Sequence, residues 1–318
     1  MISAKRNTQG SKAGDSDTAP YGFVVDVTGR TVLALTGPDA QDLLQRLSTN
    51  DVSHLKRGES TQTILTNEKG RIVEVVSAVK LEEGSILLVG LSTQPDHLVR
   101  WIEKYIIMED AKVEVVNSDF YHYLIYSIQM DRGVKELQEL KEGSIVFWEQ
   151  WTGIKLCHVL LKASKAAGSG RVLDGMGFRA ASLNEYEEFR ILNGIPHHPN
   201  ELSELINPLE ADLGSFISWT KGCYIGQEVI ARMVTYKKVQ KRLLRLALGE
   251  LPGALPQVIY SDEGESGVIT SAVRLNRGQG ARGLGYVKVG YLESDAEAMF
   301  FRHLDSLVPV RLLKSGQE

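Results

Sequence analysis

The apolar positions in the first two thirds of the chain follow the spacing of short strands and of amphipathic helices. Phe23 to Val27 and Thr31 to Leu35 alternate as strands do and, with a turn between them, predict a β-hairpin. Two more strands are predicted at residues 61–65 and 72–79, on either side of a tight loop from Thr66 to Arg71. Strands and helices are therefore expected to be mixed in this region.

Two helices are marked by the residues at their ends. Ser182-Leu183-Asn184-Glu185 is a capping box, in which the serine accepts from the third amide and the glutamate reaches back to the first. Gly194 ends the helix that this box begins. A second helix is predicted to begin at Gly226 or Gln227, because apolar residues follow at helical spacing.

Toward the C-terminus the pattern changes to short β segments separated by turns rich in Gly, Asp and Ser, which is typical of a small barrel or sandwich. A domain boundary is predicted between Val234 and Gln240. It separates residues 21–236 from residues 237–318. The polar residues 1–20 are predicted to form a disordered tail.

Composition narrows the classes of function. The chain has 318 residues, of which 43% are hydrophobic and 24% charged, as in globular proteins of two or three domains. Its net charge of −4 gives no general basic excess, so direct DNA binding is not expected. No apolar stretch approaches the ~18 residues of a membrane span, and the N-terminal residues lack the apolar region of a secretory signal. No membrane association is expected.

The cysteine count also limits the chemistry. Two cysteines, Cys157 and Cys223, do not form a disulfide framework in a chain of this size, which favours a reducing compartment and a cytoplasmic location. They cannot supply the four thiols that an iron–sulfur cluster usually needs. The adjacent His197 and His198 have no cysteine or acidic cluster nearby in the sequence, so no metal site is predicted.

The loop from Thr66 to Arg71 contains Lys69-Gly70-Arg71, which places two cations beside exposed backbone amides. Such a turn suits an anion such as a carboxylate. From the loop alone, a hairpin turn with solvated charges is the better interpretation.

The stretch from Trp219 to Arg232 carries more potential chemistry. Cys223 follows Lys221 by two residues, and a nearby ammonium lowers the pKa of a thiol. Gln227 has an amide that can pair with the amide edge of a heterocycle, and Glu228 is spaced to pair with Arg232. An equally weighted interpretation is a turn with a buried cysteine and a surface ion pair.

Two other features have open interpretations. Glu210, between the two predicted helices, either receives polar hydrogens from a ligand or is a buried structural carboxylate. A basic run is usually a solvated strand face, although it can dock an acidic partner or RNA; it consists of Lys237, Lys238, Lys241, Arg242 and Arg245.

The run Lys221-Gly222-Cys223-Tyr224-Ile225-Gly226-Gln227-Glu228, followed by Ala231-Arg232, resembles the signature of the YgfZ family of folate-binding proteins, which are relatives of glycine-cleavage T-protein (aminomethyltransferase). Other parts follow the same family order: the Thr66–Arg71 loop, Arg190-Ile191 with Gly194-Ile195-Pro196, Pro208-Leu209-Glu210, and Lys241-Arg242-Leu243.

The resemblance implies an α+β fold of the T-protein type. Two intertwined α+β modules within residues 21–236 and a C-terminal β-barrel would surround a folate pocket. It also implies tetrahydrofolate as the cofactor and an accessory role in the assembly or repair of iron–sulfur client proteins, including enzymes that modify tRNA.

The resemblance assigns roles to individual residues as well. Cys223 and Lys221 would carry the thiol chemistry. The cofactor would be bound by Asn67, Arg71, Arg190, Glu210, Gln227, Glu228 and Arg232. Two rival functions remain: a folate-dependent aminomethyl or one-carbon transferase, and a scaffold with a vestigial pocket.

The chain departs from the T-protein pattern at two positions. T-proteins have an acidic pair just after the glycine loop, and here Glu74 is the one acid available. They also have a glutamate two residues before the glycine that ends the helix, where this chain has Leu192. The first difference leaves one carboxylate where T-proteins have two, and the second removes the carboxylate that holds the pterin. The resemblance therefore does not favour aminomethyl transfer.

Overall fold

The computed structural model describes residues 20–128, 144–165, 177–275, 280–293, 299–304 and 306–313. In chain order the strands are β1 (Phe23–Asp26), β2 (Val32–Thr36), β3 (Ser60–Thr66), β4 (Ile72–Glu82), β5 (Ser85–Gly90), β6 (Lys112–Val115), β7 (Phe120–Tyr126), β8 (Ser144–Trp151), β9 (Ile154–Lys162), β10 (Arg179–Ala180), β11 (Lys241–Leu248), β12 (Gln257–Ser261), β13 (Gly264–Arg274), β14 (Ala281–Lys288), β15 (Met299–His303) and β16 (Ser306–Leu312).

The α-helices of these residues are α1 (Ala40–Leu47), α2 (Pro95–Glu103), α3 (Leu183–Leu192), α4 (Gln227–Thr235) and the short α5 (Gly290–Glu293). The strands form two five-stranded sheets, ordered β10-β1-β7-β9-β8 and β3-β4-β5-β2-β6, and a closed barrel ordered β11-β14-β13-β12-β15-β16. The fold is therefore α+β with a C-terminal six-stranded barrel, as predicted.

The predicted hairpin between the first two strands is wrong. β1 pairs with β7 and β10, whereas β2 pairs with β5 and β6 in the other sheet. Strand spacing specifies which side chains share a face, but it does not specify the partner strand. The turn after β1 instead passes the chain from one sheet to the other. This crossing interleaves the two modules.

Three local predictions are confirmed. β3 and β4 form a hairpin around the Thr66–Arg71 loop. The α3 capping box is present, because Ser182 Oγ accepts from the amide of Glu185 and the Ser182 amide donates to Glu185 Oε2 at 2.8 Å. Helix α4 begins at Gln227, directly after Gly226.

One apolar core joins the three parts of the molecule. Sheet β10-β1-β7-β9-β8 contributes Val25 and Leu124, the other sheet contributes Ile72, and the barrel contributes Tyr286. Residues of the segment between α3 and the barrel, such as Phe216, pack among them. Neither sheet nor the barrel is therefore packed independently of the others. No helix in the described ranges is long and apolar enough to cross a membrane.

Candidate functional site

The Thr66–Arg71 loop lies directly against the residues that precede α4. Thr66 Oγ1 donates to the Ile225 carbonyl at 2.6 Å. Gly226 has a φ of +82°, and a Cβ there would lie 2.6 Å from the Asn67 carbonyl oxygen. Only glycine accommodates both the backbone angle and this approach. The two motifs identified separately in the sequence thus form one packed unit.

Glu210 ties a third motif to this loop. Its carboxylate is buried, and Oε2 accepts from Arg71 Nη1 at 3.1 Å and from the Asn207 amide at 2.9 Å. Arg71 Nη1 also donates to the Leu205 carbonyl, and Asn207 Nδ2 donates to the Gly70 carbonyl at 2.7 Å. The carboxylate and the guanidinium are therefore engaged by protein groups.

Asn67 is engaged in the same way. Its Oδ1 accepts from the amides of Lys69 and Arg71, both at 3.1 Å, and its Nδ2 donates to Glu204 Oε2. We call Asn67, Arg71, Asn207 and Glu210 the loop cluster. The structure brings three predicted folate contacts, Asn67, Arg71 and Glu210, together here. Their polar groups are hydrogen-bonded to one another and to nearby protein groups, which holds the loop in place.

The Lys221 ammonium, which was predicted to lower the pKa of the neighbouring thiol, is bound by backbone carbonyl groups. Its Nζ donates to the carbonyls of Gln45, Ser48 and Asn50 at 2.6–2.7 Å, which uses all three ammonium hydrogens near the end of α1. Burial lowers the pKa of this ammonium to about 8. Cys223 is exposed. The lysine therefore anchors the signature run to α1.

The three predicted residues of α4 are on or near the surface. Glu228 and Arg232 form the expected ion pair at 2.6 Å, but their side chains are 76% and 69% exposed, so the pair contributes little to stability. Gln227 is half-buried, and its side-chain amide has no hydrogen-bond partner among the described residues. It remains available to a ligand.

Arg190 is fully buried, and it is hydrogen-bonded to residues outside the loop cluster. Its Nε and Nη2 donate to Glu187 at 2.8 and 2.6 Å, and Nη2 also donates to Ser271 of the barrel. Its Nη1 donates to Glu201 and to the Ile195 carbonyl. All five N–H donors thus have protein partners, and they link α3 to the barrel. The folate contact of Arg190 stays a prediction.

The two departures from the T-protein pattern are visible in three dimensions. Glu74 is 2% exposed, and its Oε1 accepts from the amides of Val75 and Leu91. Burial raises its pKa to about 7. Leu192 leaves an aliphatic side chain where a carboxylate was expected, and its carbonyl accepts from Arg245 Nη1 at 2.8 Å.

A cavity of about 560 Å³ lies where sheet β10-β1-β7-β9-β8, the segment after α3 and the barrel meet. Buried Trp151 and Phe216 supply aromatic surface, with ring centroids 5.1 Å apart. The remaining lining combines apolar and polar residues, including Asn193, Asp212, Ser215, Leu243 and Arg245. None of the residues predicted as site residues lines this cavity.

Sequence reasoning missed most of this cavity lining. Asp212 follows the Pro208-Leu209-Glu210 motif by two residues and has a φ of +59°, which is unusual for a residue other than glycine. Arg245 belongs to the basic run that we interpreted as a solvated face or a docking patch. No motif marks either residue, because the cavity forms between elements that are distant in the sequence.

A buried polar network supports one wall of the cavity. Glu149 Oε2 accepts from Trp151 Nε1 at 2.9 Å, and Glu149 Oε1 accepts from Ser77 of the other sheet at 2.7 Å. His158 lies 3.1 Å from the same carboxylate and 2.8 Å from the buried His122. This network orients Trp151 and connects the two sheets.

Comparisons with known proteins agree with this architecture. Residues 19–129 match the family model described as the GCVT N-terminal domain. A crystal structure of glycine cleavage system aminomethyltransferase T from Bartonella henselae superimposes with a TM-score of 0.80, covering 93% of this chain and 86% of that one. The sequence identity is 17%, so this likeness establishes the fold alone.

Curated relatives are similar over longer stretches of sequence. An aminomethyltransferase of Oceanobacillus iheyensis is 25% identical over 91% of this chain and 84% of its own length. A chloroplastic protein of Arabidopsis thaliana, provisionally described as a transferase, is 26% identical over 83% of this chain. The match covers 65% of that protein, and 61% of an aminomethyltransferase of Caldanaerobacter subterraneus that is 24% identical. Together these findings support a relationship to the T-protein superfamily.

Proposed function

We propose that this protein binds tetrahydrofolate and acts as an accessory protein in the assembly or repair of iron–sulfur proteins, with tRNA-modifying enzymes among its clients. The observation that carries the proposal is a contrast between two reactive groups on a T-protein fold. The thiol of Cys223 is exposed, whereas the carboxylate of Glu74 is sealed in the core. A group that meets a client or a substrate has to be accessible.

The cavity of about 560 Å³ is suited to a folate. Small-molecule sites measure roughly 300–1,000 Å³ and combine aromatic surface with a few polar groups. Trp151 and Phe216 would stack on a pterin or benzoyl ring. Asp212 and Asn193 would pair with the polar edge of the pterin, and Arg245 would pair with the glutamate carboxylate. Tetrahydrofolate supplies N5 and N10, the nitrogens that carry one-carbon groups.

The same geometry argues against aminomethyl transfer. A carboxylate that assists a reacting folate amine must reach it within hydrogen-bond distance. Glu74 instead accepts two backbone amides inside the core. At Leu192 the missing charge-assisted bond would be worth about 1.5–3 kcal/mol. The protein is therefore proposed to hold folate without passing on an aminomethyl group.

A one-carbon transferase is the second candidate, favoured by the similarity to an aminomethyltransferase over 91% of the chain. The two functions differ in turnover. Formation of methylenetetrahydrofolate from tetrahydrofolate and an aminomethyl donor would support the transferase. Folate binding without turnover across a panel of such donors would support the accessory role.

Folate binding at the cavity can be tested by calorimetric titration with tetrahydrofolate. Gly214 lines the cavity, and a Cβ there would meet no atom within 4 Å. Gly214→Phe is therefore expected to fold and to weaken binding at least tenfold, by filling the cavity. Gly222→Phe is the matched control, because Gly222 is equally open but does not line the cavity. If both variants weaken tetrahydrofolate binding equally, or if neither weakens it, tetrahydrofolate does not bind in this cavity.

The thiol role needs its own experiment. Cys223→Ala is expected to fail in complementing a strain that lacks its own YgfZ-type protein, whereas Cys157→Ala is expected to succeed. Cys157 is a suitable control because it is buried and burial raises its pKa to about 12, which leaves it unreactive. Full rescue by Cys223→Ala, with normal folate binding, would refute the role of the thiol.

A further inference from the structure

Two buried arginines of this protein differ in how their guanidinium groups are bound. Arg30 is 5% exposed and Arg190 is 1% exposed, so both cations are withdrawn from bulk water. Arg190 is paired with Glu187 and Glu201. The guanidinium of Arg30 has no ion pair and no hydrogen bond among the described residues. A buried cation is ordinarily paired, because an unpaired one loses its hydration without compensation.

The backbone fixes Arg30 at the point where the chain crosses from one sheet to the other, between β1 and β2. Its amide donates to the Val27 carbonyl at 2.9 Å, and its carbonyl accepts from Asn117 Nδ2 at 2.6 Å. The next residue, Thr31, donates through Oγ1 to the Ser92 carbonyl at 2.9 Å. The backbone of Arg30 is therefore held in place, while its charged end is left without hydrogen bonds.

The groups around the guanidinium do not neutralise its charge. Its Cζ lies 5.8 Å from the centroid of the Tyr186 ring, at the outer limit of a cation–π contact. Burial, together with the positive charge of Arg30, lowers the pKa of His197 to about 4, so this imidazole is neutral at pH 7. Burial and nearby positive charge, including that of Arg30, also lower the pKa of His122. The surroundings thus favour the arrival of a negative charge.

Solvent still reaches the guanidinium. Arg282 Nε is a side-chain nitrogen that is sealed from solvent and has no partner, and no nitrogen of Arg30 is in that condition. Because the Arg30 nitrogens have no partner either, they keep contact with solvent, and a small ligand can approach them. This space is distinct from the cavity of about 560 Å³, since neither Arg30 nor Tyr186 lines that cavity.

We propose that Arg30 and Tyr186 form a binding site for the carboxylate of a small aliphatic acid, separate from the folate cavity. A carboxylate accepts two parallel hydrogen bonds from the guanidinium fork, and the single negative charge matches the single cation. A phosphate carries close to two negative charges and would leave one of them buried without a partner. The site does not depend on the proposed function.

The test is thermal denaturation of the full chain in sodium acetate and in sodium chloride at equal ionic strength. Acetate should raise the melting temperature of the wild type by about 2–4 °C relative to chloride. Arg30→Met should abolish this rise. Arg57→Met is the matched control and should keep it, because Arg57 is 78% exposed. Acetamide has the shape of acetate without its charge and should give no rise, and phosphate should give a smaller one than acetate.

A second readout separates a ligand site from a structural role. In chloride, Arg30→Met should melt at or above the wild type, because it replaces an unpaired buried cation with an apolar side chain. A markedly lower melting temperature would make Arg30 a structural residue and overturn the site. An acetate rise that persists in Arg30→Met, or an equal rise with acetamide or phosphate, would also overturn it.

Saturating tetrahydrofolate distinguishes this site from the folate cavity. The acetate rise should persist in its presence, and loss of the rise would overturn a separate site. Failure of tetrahydrofolate to bind at all would count against the proposed function alone, because the response of Arg30 to acetate is measured without folate.

Discussion

The loop cluster and the cavities near the barrel differ in whether their polar side chains are hydrogen-bonded to other protein groups. In the loop cluster, Glu210 and Arg71 bind each other and nearby backbone groups. A second cavity, of about 540 Å³, lies between the C-terminal end of α4 and strand β11. Its lining residues Lys237 and Arg242 have no such partners among the described residues. The comparison teaches that several residues of recognisable motifs hold the fold here, whereas Lys237 and Arg242, which belong to no motif, keep their hydrogen-bonding groups free of partners among the described residues.

The largest effect on stability is expected at Arg190, whose side chain is hydrogen-bonded entirely within the protein. Arg190→Met leaves the buried Glu201 without its cation, and it should lower the free energy of unfolding by about 3–5 kcal/mol. Chemical denaturation measures this loss. Arg190→Met/Glu201→Gln, as the control, should recover part of it. A small loss of stability together with a large loss of folate affinity would make Arg190 a ligand contact after all.

The next effect separates two glycines of the signature run. Gly226→Ala should cost about 3 kcal/mol, because its φ is +82° and a Cβ would lie 2.6 Å from a carbonyl oxygen. Gly222→Ala, where a Cβ meets nothing within 4 Å, should change stability by less than about 0.5 kcal/mol. Similar melting temperatures for the two variants would show that the loop does not pack on α4 as described.

The pH dependence of stability tests the sealed carboxylate. Burial raises the pKa of Glu74 to about 7, so between its ordinary value of 4.5 and pH 7 the native state binds more protons than the unfolded state. Stability contributed by this group is thus present below pH 4.5 and is lost as pH rises through 7. The stability of Glu74→Gln relative to wild type should increase by about 2 kcal/mol between pH 5 and 7.5.

Denaturation of both proteins across this pH range gives the measurement. Glu83→Gln is a surface control on the turn between β4 and β5, and it should show no comparable trend. A flat difference between Glu74→Gln and wild type would mean that water reaches the Glu74 carboxylate.

A smaller effect is expected at Lys221. Lys221→Met removes three hydrogen bonds to carbonyls and should cost about 1.5 kcal/mol. The alkylation rate of Cys223 should stay within about twofold, since the ammonium is engaged by those carbonyls. Lys238→Met controls for the loss of one positive charge. If the alkylation rate of Cys223 falls severalfold in Lys221→Met but not in Lys238→Met, Lys221 does activate the thiol as predicted.

The smallest effects should come from the two basic residues that line the second cavity, between α4 and β11. Lys237→Gln and Arg242→Gln should each change the free energy of unfolding by less than about 0.5 kcal/mol, because no ion pair within the described ranges is lost. Thermal denaturation checks this expectation. A large loss of stability in either variant would mean that the residue makes stabilising contacts within the protein. It would then not differ from the residues of the loop cluster.

Local features were readable from the sequence. The capping box at Ser182, the start of α4 at Gln227 and the hairpin around the Thr66–Arg71 loop were predicted from spacing and residue type, and the structure has all three. These features depend on backbone angles, periodicity and hydrogen bonds between residues close in the chain.

The tertiary structure decided which distant groups meet. It placed β1 and β2 in different sheets, directed the Lys221 ammonium to the carbonyls near the end of α1, and enclosed Arg190 against Ser271 of the barrel. It also formed the cavity beside Asp212 from three parts of the chain. Such contacts depend on how whole elements pack, and residue spacing carries no record of that packing.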